Sequence, residues 1–417
     1  MIEFDSAELA RENSAKIKVL GIGGAGGNTV NSIIESGYQG IEYLVVNTDA
    51  QALENSKAST KIRLGARSAK GLGAGANPEA GKRAAEETLN EIMEQLEDAD
   101  IVFLTAGMGG GTGSGALPVI ARALKERGIL SIAVITRPFN FEGKKRAAIA
   151  EAAIQQLKKD VDTLIVIPNQ NLLNVVDAST SMIDAFNMIN GVLGQSVKSI
   201  SDIITKPGHI NVDFADVRAI MKDRGLAIMG AARASGQDRA LEATLAAISS
   251  PLLENMDIKG SCSVLLNITG SKNLSLHEIS QAASIIYEQA DPDAQIILGS
   301  VIDESLGEDV LVTVIATGFE NAQAHAAEEI KVKATVLDVV ETIKVHVEAP
   351  TKEMAECMME AAHNAHMPHK QTIAPALSHY KKVAHEPVAH AQDLLGSEDV
   401  LDVPSFMRKE KSELENS

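Results

Sequence analysis

The sequence predicts a doubly wound α/β domain on a parallel sheet, joined by a long central helix to a smaller α/β domain and followed by a tail. Three observations carry this expectation. Short apolar runs alternate with longer helical patterns from Ile17 onward; glycine-rich loops follow the strand-like runs; and an unbroken helical period spans residues 181–205.

The first set of runs is IKVLGIG, IEYLVVNT, DIVFLTAG, GILSIAVIT and VDTLIVIP. Each is apolar throughout, the pattern of a strand covered by helices on both faces, and their alternation with helical stretches is that of βαβ units. This domain is assigned to residues 16–180, after a disordered extension over 1–15. In the central helix, Ile183, Phe186, Ile189, Leu193, Val197, Ile200 and Ile204 recur at three- and four-residue spacing until KPGH stops them. The second domain, 206–319, is read from RGLAIMGAARA, CSVLLNITG, AQIILGSVI and DVLVTVIATG, with helical segments near Arg239 to Ile248 and Leu276 to Glu288. From Glu320 the period loosens, and several histidines (His363, His366, His369, His379, His385 and His390) and scattered prolines appear without regular ligand spacing, so 320–395 is expected to be a flexible linker. The last segment, 396–417, holds LDVPSFMRK, whose Leu401, Val403, Phe406 and Met407 precede Arg408 and Lys409 as in a short docking peptide.

An apolar fraction of 45% beside 23% charged residues excludes global disorder. The net charge of -18 repels phosphate backbones and anionic lipid heads, so nucleic acid is not an expected partner. Cys262 and Cys357 lack the paired spacing of a zinc site or disulfide framework, which fits a reducing compartment. With no apolar run of the ~18 residues needed to cross a bilayer, direct membrane insertion is not expected, and a cytoplasmic location is.

The first strand runs into GIGGAGGN, Gly21 to Asn28, just before a helical pattern. Such a loop lets backbone approach an anion, and the helix N-terminus supplies unpaired N–H groups and partial positive charge. Gly21, Gly23 and Gly26 also satisfy a dinucleotide fingerprint, with Asp49 placed as its ribose-binding acid, so a nucleotide-dependent oxidoreductase is a competing reading. The loop AGMGGGTGSGA, Ala106 to Ala116, argues against it: six of its residues are glycine and a second helical pattern begins there. Two such loops on one sheet edge, with GLGAGANP (Gly71 to Pro78) as a third wall, favour a triphosphate. No Gly-Lys-Ser/Thr closes any of them, so this is not a P-loop, and charge must be met by backbone N–H groups and a divalent metal.

GGGTGSG, Gly109 to Gly115, resembles the tubulin motif, and VNTDAQAL, GAGANPEAG, RPFNFEGKKR and NVDFADV resemble blocks of the tubulin/FtsZ family in unbroken order from Ile17 to Phe319. The resemblance implies a GTPase that polymerises head to tail into filaments of the bacterial division ring, on the inner face of the membrane. It implies GTP or GDP at Gly24, Ala25, Gly26, Gly27 and Asn28 and at Gly110, Gly111, Thr112 and Gly113. Ala74, Gly75 and Ala76 are placed near the terminal phosphate, and Glu142 and Arg146 around ribose and phosphates, with Mg2+ held mainly by phosphates and water.

Phe186 and Asn190 stand one helical turn apart, and the resemblance implies a stacking ring and a hydrogen-bonding group for guanine. Many relatives carry Asp at position 190, so guanine selectivity is expected to be softer here. Asp213 and Asp216, beside Asn211, read locally as a helix cap. The resemblance makes all three catalytic, inserted into the nucleotide pocket of the next subunit to orient the attacking water. It also makes the C-terminal peptide a ligand for membrane-tethering division proteins such as FtsA. A tubulin-like regulator that binds GTP without polymerising is a further alternative, against which intact Asp213 and Asp216 argue.

Overall fold

The computed structural model describes residues 15–319 except 39, 174, 175, 178, 207, 209, 211 and 251–257. The chain divides into two units, Met1–Lys333 and Ala334–Ser417, and every described residue lies in the first. The expected extension over 1–15, apart from residue 15, and the linker, its histidines, Cys357 and the docking peptide lie outside the described residues.

Six parallel strands open the fold: β1 (Ile17–Ile22), β2 (Ile41–Asn47), β3 (Thr60–Arg63), β4 (Ile101–Gly107), β5 (Leu130–Arg137) and β6 (Thr163–Pro168). Then come β7 (Gly225–Ala234), β8 (Ser263–Gly270), β9 (Gln295–Ile302) and β10 (Val310–Thr317). All ten form one sheet in the order β3-β2-β1-β4-β5-β6-β7-β10-β8-β9. The halves join where β6 pairs with β7 in parallel over Thr163↔Gly225, Leu164↔Leu226 and Ile165↔Ala227. Beyond the join β10 runs antiparallel to both β7 and β8.

The helices are α1 (Gly23–Glu35), α2 (Ala50–Glu54), α3 (Pro78–Glu94), α4 (Thr112–Glu126), α5 (Lys144–Asp160), α6 (Asn169–Leu172), α7 (Met182–Thr205), α8 (Phe214–Met221), α9 (Arg239–Ile248) and α10 (Leu276–Gln289). The unbroken apolar runs are explained by helices on both faces. Leu20, Ile22, Leu104 and Ala133 pack with Ala84, Ile92, Ile120 and Leu157 of α3, α4 and α5. Their strand neighbours Val19, Phe103 and Ile132 turn the other way, onto Val30 of α1 and Ile189, Leu193, Val197 and Ile200 of α7. A third cluster joins Val264, Leu266, Ile268, Val312 and Val314 to Ala243, Ala247, Ala282 and Ile286 of α9 and α10.

The 24-residue α7 is about 36 Å long at 1.5 Å per residue. Ser181 caps its start by accepting from the Asp184 N–H at 3.1 Å. It stops at Lys206, whose extended backbone is what a following proline demands. At that end Lys198 Nζ lies 2.7 Å from Asp202 Oδ2, and Lys206 Nζ lies 3.1 Å from Asp202 Oδ2 and 3.5 Å from Asp303 Oδ2. Burial opposes the Asp303 charge, but hydrogen bonds from Ser305 and the Lys206 and Lys198 ammonium groups hold its carboxyl below the usual range. Burial likewise opposes the Lys206 charge, while Asp202 and Asp303 hold its ammonium above its ordinary value. Cys262 is half-buried, with Sγ 3.2 Å from the Gly318 carbonyl.

Candidate nucleotide site

β1 and β4 are adjacent, and the connections leave them in opposite directions along the sheet. A crevice opens at their C-terminal ends, where open α/β sheets bind ligands. There a cleft of about 340 Å³ is lined by Gly23, Gly24 and Ala25 from the first loop, Gly110 to Gly113 from the second, and Thr136 and Pro138 at the end of β5. Glu142, Arg146, Asn169, Phe186 and Asn190 complete the wall.

Two helices begin at this cleft, and neither start is closed by its own side chains. α1 follows Ile22 and α4 follows Gly111; both lack a side-chain cap bond and an acidic residue in the first turn. The first N–H groups of a helix have no intrahelical partner and carry partial positive charge, so the pair forms a receptor for an anion. Elsewhere Asp49, Asn77, Ser181, Asp213 and Ser275 cap α2, α3, α7, α8 and α10.

The loop glycines divide into two kinds. A Cβ on Gly26 would come within 2.3 Å of the Thr105 carbonyl, and one on Gly113 within 2.7 Å of the Gly107 carbonyl, so these are needed for helix-to-strand packing. A Cβ on Gly24 or Gly110 would meet nothing within 4 Å, so at these positions backbone is bare toward open space that a ligand can fill.

Glu142 and Arg146 form an i,i+4 ion pair at the cleft rim, and Glu142 Oε1 also accepts from the Phe139 N–H at 2.9 Å, closing the turn over 140–142. Phe186 stands edge-on to Phe139, 5.7 Å between ring centres, and is 36% exposed toward the cleft. The Thr29 hydroxyl lies between two acceptors, the Ala25 carbonyl at 3.1 Å and Asn190 Oδ1 at 3.2 Å, and so ties Asn190 to the first turn of α1. Thr48 and Thr112 share a hydroxyl contact of 2.7 Å that ties the end of β2 to the start of α4.

Of the expected nucleotide residues, Gly24, Ala25, Gly110, Gly111, Thr112, Gly113, Glu142, Arg146, Phe186 and Asn190 line the cleft. Gly26 and Gly27 are buried beneath it, and Asn28 is exposed. Ala74, Gly75 and Ala76 are not in the wall but abut it, since a Cβ on Gly111 would meet Ala74 Cβ at 2.8 Å. Asp49 caps α2 through Oδ1, 3.0 Å from the Gln51 N–H, and so is not poised as a ribose acid. Sequence reasoning missed Asn169. This residue is 5% exposed, lines the cleft, and its buried Oδ1 has no hydrogen-bond partner among the described residues, a cost that a donor on a ligand removes. The only sequence signal was its place directly after the apolar run ending at Pro168.

Asp213 and Asp216 are not in the cleft. Asp213 is the N-cap of α8 and accepts from the Asp216 N–H at 2.8 Å, so the helix begins at Phe214 rather than at Asp216. Both carboxylates are exposed. The far side of α8 is pinned to the base of the sheet: Arg218 Nη2 donates to the Gly128 carbonyl just before β5, and Thr163 at the start of β6 donates to Met221. The cleft lies at the other end of the same strands, roughly 23 Å along β5. Asn211 is outside the described residues.

Comparison with known proteins agrees with this architecture. Residues 16–177 match the Tubulin/FtsZ family, GTPase domain, and residues 225–320 match the FtsZ family, C-terminal domain. An empty FtsZ dimer from M. jannaschii is 42% identical with a TM-score of 0.72, over 76% of this chain and 91% of that one. A mutant of FtsZ from M. jannaschii gives 42%, 0.71, 76% and 94%. CetZ1 from Haloferax volcanii, a GDP-bound monomer, shares the fold at 23% identity and a TM-score of 0.65, over 75% of this chain and 99% of its own. The dinucleotide-enzyme reading falls with these matches. The chain belongs to the Tubulin/FtsZ family and is a GTP-binding GTPase of the tubulin-like cytoskeleton associated with cell division.

Proposed function

We propose that this GTPase polymerises head to tail and that each catalytic site is completed by the next copy. One observation carries the reading: the glycine cleft and the exposed Asp213–Asp216 pair occupy opposite ends of the same sheet. One copy therefore cannot bring its own acids to its own cleft, whereas stacking copies along the strand direction brings the acids of one to the cleft of another. Such a contact is heterologous and need not close, so it yields filaments. Self-assembly of such a chain is supported by the FtsZ from M. jannaschii, 42% identical, which is described as a dimer.

In this reading the phosphates lie across the starts of α1 and α4, with Ala74 to Ala76 beside the terminal one. Phe186 stacks on guanine, Asn169 and Asn190 supply polar contacts to it, and Glu142 and Arg146 hold the ribose side. Asp213, Asp216 and Asn211 of the adjoining copy orient the water that attacks the terminal phosphorus, so GDP and phosphate leave only where two copies meet. Mg2+ would be held mainly by the phosphates and water, where it would offset the charge of the terminal phosphates. Filaments of this kind form the division ring at the inner face of the membrane, tethered through the C-terminal peptide by FtsA-like proteins.

The test is phosphate release together with light scattering after GTP addition, across a dilution series. Turnover per molecule should fall as copies separate, in step with scattering. Constant turnover on dilution would mean that a single copy carries the whole site.

A further inference from the structure

A second charged feature lies at the base of the sheet, away from the nucleotide cleft. Two adjoining hollows, of about 140 and 220 Å³, share Lys125 and Asp223. Lys158, Arg224 and Gly318 line the first, and Arg218 and Lys222 the second. Five cations thus gather on a chain whose net charge is -18.

The local acids do not neutralise them. Asp223 Oδ1 takes one cation, Lys125, at 2.9 Å. The buried Asp162 is occupied by N–H and O–H donors: Ser131 N and Oγ, each at 2.9 Å, and the Asp223 N–H. Among the described residues Arg218 and Arg224 donate only to the carbonyls of Gly128 and Ala219. Among the described residues, Lys158, Arg218, Lys222 and Arg224 have no carboxylate partner. Gathering like charges around a hollow without counter-charge is unfavourable unless an anion sits there.

Gly318, in the wall of the first hollow, directly follows β10. The chain therefore leaves the sheet at the groove itself. The sequence it continues with, 320–330, contains Glu320, Glu328 and Glu329 and no Lys or Arg; the first cation after β10 is Lys331. Ten residues beyond Gly318 reach up to ~33 Å when extended, ample for adjoining hollows of this size.

We infer that the basic groove of Lys125, Lys158, Lys222, Arg218 and Arg224 is the docking site of this chain's own acidic segment 320–329. The occupant is the chain itself because its anchor point is a groove residue, which gives the segment a high effective concentration there without any partner. The inference stands apart from the polymer reading. It does have a bearing on it: Arg218 belongs to α8 and Lys222 follows it, so a docked segment borders the acids that face the next copy.

The experiment is zero-length carbodiimide crosslinking of the full-length, GDP-loaded protein, made as an equal mixture of isotopically light and heavy copies and read by mass spectrometry. Crosslinks from Lys125, Lys158 or Lys222 to Glu320, Glu328 or Glu329 should appear within one isotope only, and drop several-fold when salt is raised, because exposed charges are screened over about 10 Å at 0.1 M. The Glu328→Lys, Glu329→Lys variant should lose them, and adding Lys158→Glu should restore a crosslink at position 158 with the polarity reversed. Absence of these crosslinks overturns the inference, as does their appearance in mixed light–heavy pairs, which would make the occupant a second copy. Crosslinks from the groove to acids outside 320–329 instead also overturn it.

Discussion

At the upper end of β5, Thr136 opens onto two helix starts that no side chain caps; at the lower end, roughly 23 Å away, α8 starts with Asp213 already seated on the Asp216 N–H. The same element, a helix N-terminus, is open in one place and closed in the other. An open start recruits an anion, and a closed one presents its capping carboxylate outward. Under the proposed function, that difference gives one copy a binding site and leaves its catalytic acids to serve the cleft of the next.

Substitutions at Asp213 test the lower end most severely. Asparagine caps helices about as well as aspartate, whereas alanine costs about 1 kcal/mol. Asp213→Asn and Asp213→Ala should both slow GTP turnover by about 10²–10⁴-fold while leaving GTP affinity intact, and only the alanine variant should also melt earlier. Wild-type phosphate release in Asp213→Asn would reduce this residue to a cap.

At the upper end, Gly24→Val and Gly113→Ala sharpen the contrast between glycines that face the ligand and glycines that allow packing. Gly24→Val puts its side chain into open space, so the melting temperature should hold while GTP affinity, measured by calorimetry, falls by about 100-fold or more. Gly113→Ala meets the Gly107 carbonyl at 2.7 Å and should destabilise the protein itself, by about 1–3 kcal/mol. Asn169→Ala should weaken GTP by about 5–30-fold, the worth of about 1–2 kcal/mol, yet leave the nucleotide-free protein as stable as before, since its Oδ1 has no partner among the described residues to lose.

The smallest effect is expected outside both ends, at the foot of α7. The folded state depresses the Asp303 carboxyl, so its contribution is present above the ordinary aspartate value of about 3.9 and is lost as pH falls through the lower folded value. Lys206 is raised, so its contribution is present below about 10.4 and is lost as pH rises through the higher folded value. Asp303→Asn should therefore lower stability by about 1 kcal/mol at neutral pH, with the difference from wild type vanishing in acid; thermal melts at several pH values read this directly.

The parallel half of the fold was legible because each run from IKVLGIG to VDTLIVIP is apolar on both faces, and packing on α3 to α5 and on α1 and α7 demands that. The four-residue β3, with only Ile62 buried, was too short and too polar to stand out. Glycine loops announced the cleft because backbone approach to a ligand requires that residue type. Asn169 went unseen because a single amide acquires meaning only once burial has removed its other partners.

By itself the sequence determined the strand and helix periods, the bare loops that end β1 and β4, and the family motifs, all of which are local and depend on residue type and spacing. Only the tertiary structure decided that all ten strands form one sheet, that the acids lie at the opposite end from the cleft, and that five cations meet where β10 ends. These depend on which distant segments pack together, and strand pairing and helix packing are settled by burial across the whole chain rather than by any stretch of it.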